Sequence, residues 1–177
     1  ELEELTYHMA YPDEYREGIP MCAAADDIRV GNDDKVSLSL VRLMSRISLR
    51  IDRRKLDKDV EMYVRNVTIG NCPRSVKVFT PSSVKNPDQC FAVGFSKDDY
   101  QTSVLNTTMA DGKSGEISLY MLENMQGDIS EPLGADSEKV FGEQDHRRDV
   151  CSYIEMDIEY LSNEKYSESP LVYRFYL

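Results

Sequence analysis

The stretch Val150-Cys-Ser-Tyr-Ile-Glu-Met-Asp-Ile-Glu-Tyr-Leu161 carries the longest alternation in the chain. Ile154, Met156, Ile158 and Tyr160 fall on one parity, and Tyr153, Glu155, Asp157 and Glu159 fall on the other. A period of two sends the two sets to opposite faces of a pleated strand. One apolar face and one charged face is what an antiparallel sheet needs when a single side is wet. A second alternating run follows, with Leu171, Tyr173, Phe175 and Leu177 set against Val172, Arg174 and Tyr176. The two runs read as a hairpin with a long polar loop.

Working towards the N-terminus, Glu116–Leu122 reads as a strand with Ile117, Leu119 and Met121 on one face and Ser118 and Tyr120 on the other. Met62–Ile69 is rich in strand formers and stops at Gly70-Asn71. Val76–Phe79 is a short candidate between Pro73 and Pro81. Regular structure is expected to open at Val36, where Val36, Leu38 and Leu40 alternate with Ser37 and Ser39. A second phase, Ile47, Leu49 and Ile51, continues it, and a bulge near Ser45 would absorb the phase change. Residues 80–115 read mainly as loop, with short strands at Phe91–Phe95 and Thr102–Leu105. The connection 124–148 is polar, and residues 1–35 read as irregular, punctuated by Pro12, Gly18, Pro20 and Gly31. Several strands without a convincing amphipathic helix predict an all-β chain, an antiparallel sandwich over residues 36–177. The strand character at Leu177 suggests that a last strand is missing.

Composition narrows the function. The chain has 177 residues, enough to bury a core without staples. Its net charge is −11 and its pI about 4.7. An acidic surface repels phosphate backbones and anionic lipid, so nucleic acid and the membrane surface are poor partners. Cys22, Cys72, Cys90 and Cys151 form no Cys-x-x-Cys motif. They are either disulfide-bonded, in one of three pairings, or buried thiols.

Three local patterns carry a resemblance. The first is Val36-Ser-Leu-Ser-Leu-Val-Arg-Leu-Met-Ser-Arg-Ile-Ser-Leu-Arg-Ile51, followed by Tyr63-Val-Arg-Asn-Val-Thr-Ile-Gly-Asn-Cys-Pro73. The second is Leu119-Tyr-Met-Leu-Glu-Asn-Met-Gln-Gly127. The third joins Cys151-Ser-Tyr-Ile-Glu-Met156 to Val172-Tyr-Arg-Phe-Tyr-Leu177. Their order and spacing resemble the fimbrillin-like superfamily (Mfa/FimA-type, type V pilin) of Bacteroidetes surface proteins. The resemblance implies a transthyretin-like β-sandwich, export to the cell surface or outer membrane through a lipid anchor on the precursor, and assembly into fimbriae that support adhesion. Partners would be other fimbrial subunits and a host or bacterial surface ligand. Subunits would join by strand complementation, in which an extended segment fills an open sheet edge. The expected exchange edges are Val36, Leu38 and Leu40 and, at the other end, Leu171, Tyr173 and Phe175. Ser45 departs from the small apolar residue the family tends to carry, and residues 1–35 match none of its patterns.

The remaining constellations do not select an enzyme. Asp145-His146 with Cys151 could form a nucleophile pair, but no orienting third group is visible, and a strand cysteine is more often structural. Asn32-Asp33-Asp34, Asp26-Asp27 and Asp98-Asp99 lack calcium-loop spacing. Tyr153, Tyr160, Tyr173 and Tyr176 could form an adhesive face and otherwise serve as cross-strand partners. Met121, Met125 and Met156 read as core fillers, and Glu123-Asn124 as a turn at the end of the sandwich. No catalytic, metal or cofactor residue is expected. The alternative function is a surface lipoprotein that binds carbohydrate or protein without polymerising.

Overall fold

A computed structural model describes residues 2–9, 15, 18–25, 31, 35–95, 112–126, 141, 143–162, 165–166 and 171–177. Its strands are β1 (Thr6–His8), β2 (Met21–Cys22), β3 (Val41–Arg42), β4 (Met44–Leu49), β5 (Val60–Pro73), β6 (Ser75–Lys77), β7 (Cys90–Phe95), β8 (Ile117–Leu122), β9 (Tyr153–Ser162), β10 (Lys165–Tyr166) and β11 (Leu171–Tyr176). A single helical turn, α1 (Arg147–Val150), precedes β9. Every pairing among the described strands is antiparallel. The chain is all-β.

The largest sheet runs β7–β5–β9, with β10 and β11 sharing the far side of β9. β9 is straight in register, so Ile154 and Ile158 are buried on its core face, as the alternation predicts. β5 is longer than the sequence suggests, because Gly70-Asn71 does not end it. Two register shifts interrupt it, one between Val64 and Asn66 against β9 and one between Ile69 and Cys72 against β7. Each extra residue resets the parity. Met62 and Val64 point inward before the first shift, Val67 and Ile69 after it, and Cys72 after the second. Asn71 takes φ of +52°, which an asparagine tolerates better than most residues.

β4 and β8 form a second ladder, pairing Ile47 with Leu119 and Leu49 with Ile117. β8 is buried on both parities, since Tyr120 and Leu122 are as enclosed as Leu119 and Met121. The face of Ser118 and Tyr120 is therefore enclosed as well, with Ser118 half-buried. Tyr120 lies against Tyr15, ring centroids 6.0 Å apart, and Tyr15 meets the Tyr7 hydroxyl at 2.9 Å. One apolar core joins these ladders: Met44, Val67, Ile69, Cys72, Val93, Leu119, Leu122 and Ile158 all belong to it.

Several expectations change. The segment expected to be irregular contributes β1, which pairs with β6, and β2, which pairs with β3. Tyr7, Met9, Ile19 and Cys22 of that segment pack on the core. The opening strand starts at Val41, not Val36. Val36, Leu38 and Leu40 are extended in pattern only: among the described residues they have no ladder partner, and their side chains are exposed. Alternation permits a strand, but pairing makes one. The break between phases falls at Leu43, where the chain leaves β2 and joins β8, and not at Ser45. β7 confirms the strand expected at Phe91–Phe95, whereas Thr102–Leu105 and the three acidic loop clusters lie outside the described residues. Met125 is exposed, not core. All four cysteines are free thiols.

Candidate functional site

The C-terminal strand is held on one side only. β11 pairs with β9 along its whole length, Leu171 opposite Ile158, Tyr173 opposite Met156 and Phe175 opposite Ile154. No other described strand touches its outer edge. In an antiparallel edge strand, half of the backbone N–H and C=O groups then face outward and can pair with a further chain.

Directly opposed residues share a face. Leu171, Tyr173 and Phe175 therefore lie on the core side of the sheet, beside Ile158, Met156 and Ile154. Their burial differs sharply: Ile158 and Ile154 are 5% and 8% exposed, whereas Leu171 and Phe175 are 46% and 51% exposed. The cover over β9 thus stops before β11. Tyr160 and Tyr173 meet at 3.4 Å across this boundary. Burial and the Tyr173 hydroxyl push the Tyr160 phenol up to about 12. Leu177, also half exposed, continues the apolar row, its N–H donating to the Ser152 carbonyl at 2.9 Å.

The opposite face of β11 is well engaged. Arg174 donates to Glu155 at 2.5 and 3.0 Å and lies 4.2 Å over the Tyr153 ring. Tyr176 sits edge-on to Tyr153 and to Phe141. These contacts fix the strand, so its bare core-side face is a feature of an ordered element. Val36, Leu38 and Leu40 share the exposure of the β11 row but not its ladder. The structure does not bring the two predicted edges together. Val172 and Val41 are exposed as well, but on the opposite parity: Val172 faces Asp157 on the Arg174 side of β11, and Val41 is paired with Cys22 in β3.

Asp145 is engaged by Arg147 at 2.6 and 3.0 Å, which together with a backbone hydrogen bond from Arg147 holds its carboxyl at about 2. The Cys151 thiol is pushed up by burial and contacts the Leu177 carbonyl at 3.6 Å. A protonated thiol is a poor nucleophile. Burial likewise pushes the Cys72 thiol up to about 11. Asn124 is a hub where a simple turn was expected. Its Oδ1 accepts from the Val84 amide, and its Nδ2 donates to the Val150 carbonyl and the Ser152 hydroxyl.

No protein-family model matches the chain, and no curated protein or solved structure matches it. The class that stands is that of the fold: an all-β protein of antiparallel sheets in which β11 is paired on one side only among the described strands.

Proposed function

We propose that this protein is a structural or accessory subunit of cell-surface fimbriae, built as a transthyretin-like antiparallel β-sandwich, exported, and joined to its neighbours by β-strand complementation. One observation carries the reading: β11 is an ordered edge strand whose core-side row, Leu171, Tyr173 and Phe175, is bare. A strand laid along it gains main-chain hydrogen bonds from the open edge and covers the row with alternate side chains. Full burial of one such side chain stabilises by roughly 1.5–3 kcal/mol. The segment Val36–Leu40 has the complementary form: apolar on every second residue, exposed, and free of ladder partners among the described residues. In this reading Val36, Leu38 and Leu40 of one subunit dock on β11 of the next.

Native mass spectrometry of the chain with a synthetic peptide spanning Lys35–Arg42 tests this. The expected result is a one-to-one complex with a raised Tm, lost in Phe175→Arg. A chain that ignores the peptide, or binds it equally well as Phe175→Arg, would overturn the reading.

A further inference from the structure

Away from the β11 row, three connections meet at one end of the large sheet around a cavity of about 500 Å³. Its walls come from the segment before β7 (Val84, Lys85, Pro87), the residue Gln126 after β8, and the turn His146–Val150, with Asn71, Tyr153 and Arg174 from the sheet. That volume suits a ligand of one or two sugar rings.

The walls are tied together. Asn124 binds all three connections: Val84 N–H at 3.1 Å, Gln126 Nε2 at 2.6 Å, and the Val150 carbonyl at 2.9 Å. Gln126 Nε2 also donates to the Val84 carbonyl at 2.8 Å. Asn71 Nδ2 donates to the carbonyls of Asp149 and Cys151, and Ser152 Oγ returns a bond to the Asn71 carbonyl at 2.9 Å. Val84 and Val150 are buried beneath, packed with Cys90. The cavity is therefore set by hydrogen bonds within the chain itself.

Its charge runs against the molecule. The chain carries −11 overall. Yet among the described residues Lys85, Arg148 and Arg174 line the cavity with one carboxylate, Asp149. Arg174 is committed to Glu155 and to the Tyr153 ring. Lys85 and Arg148 make no ion pair with any described residue. Two cations without an ion pair among the described residues, at one cavity of a protein with such an excess of acid, are a local reversal that an anionic group would complete. The same lining carries groups that can donate or accept hydrogen bonds, on His146, Gln126 and Tyr153. The aliphatic wall of Val84, Pro87 and Val150 supplies the apolar contact that a pyranose face needs. The Tyr153 ring is not open for stacking, since Arg174 lies over it and its hydroxyl end packs on Gly70.

We infer that this cavity binds an anionic sugar, its carboxylate or sulfate held by Arg148 and Lys85 and its ring hydroxyls by Gln126, His146 and Tyr153. The site is separate from the β11 row and stands whether or not subunits exchange strands. The test is an NMR titration of the isotope-labelled chain with glucuronate, with glucose and inorganic sulfate as controls. Glucuronate should shift the amides of Lys85, Gln126, Arg148 and Tyr153, glucose should not, and sulfate should bind more weakly. Lys85→Gln and Arg148→Gln, both at exposed side chains and expected to leave Tm unchanged, should each weaken glucuronate by about tenfold. Equal binding of glucose would overturn the role of charge. Equal binding of sulfate would overturn the sugar. Glucuronate shifts that are absent, or that survive in the double variant, would overturn the site.

Discussion

Two glycines show how close contact, not turn-making, can fix a residue. A Cβ on Gly70 would lie 2.2 Å from the Tyr153 ring, and one on Gly94 would lie 2.3 Å from the Val67 carbonyl. The first clash is with a side chain, although that ring is pinned by the Arg174 guanidinium over it. The second is with backbone, and Gly94 also takes φ of +139°, a conformation closed to other residues. Gly70→Ala should therefore cost about 1–3 kcal/mol, the range for overpacking. Gly94→Ala should cost more, because no rotamer relieves it. Urea unfolding checks the order, and Tyr153→Ala should rescue Gly70→Ala but not Gly94→Ala. A rescue of both would mean that ring displacement, not the β5–β7 backbone approach, is the constraint. In the sequence, Gly70 looks like punctuation, since Gly-Asn after a β-rich run marks a strand end. The tyrosine that fills the space lies 83 positions later, and no local pattern points to it.

Alternating elements were legible where both strands of a pair are present. β9 and β11 follow the parity of their sequences, and β9 buries the side the alternation selects. Two things escaped. The bulges in β5 reset its parity twice within a run that reads as continuous, and Val36–Leu40 has the parity of a strand without a described partner. The same limit applies to burial on β11: Phe175 alternates as well as Ile154 does, yet only Ile154 is covered. Truncation separates the two. Ile69→Ala, at a fully enclosed site, should cost about 2–5 kcal/mol. Phe175→Ala would cost about 3–5 kcal/mol in a packed core, but on this bare row it should cost under about 1 kcal/mol. Chemical denaturation of the dilute chain measures both. A Phe175→Ala loss as large as that of Ile69→Ala would show the row covered in the isolated subunit, and the proposed docking face would not exist.

At the scale of the whole molecule, charge and the apolar row pull in opposite directions. Two subunits of net charge −11 repel each other, whereas the row and the open backbone edge that would join them are uncharged. Salt screens the repulsion, with a Debye length of about 10 Å at 0.1 M, and leaves the apolar contribution intact or strengthened. Subunit association should therefore tighten as ionic strength rises. The peptide Lys35–Arg42 presents the same side chains on a cationic carrier, since Lys35 and Arg42 are its only charged residues. Attraction to the acidic subunit assists its binding, and salt should weaken it. One docking face thus predicts two salt slopes of opposite sign, set by the charge of whatever arrives. Sedimentation of the chain and fluorescence titration of the peptide, each across a salt series, give both slopes. If subunit association instead weakens with salt, ion pairs hold the contact, and the uncharged β11 row is not where the subunits meet.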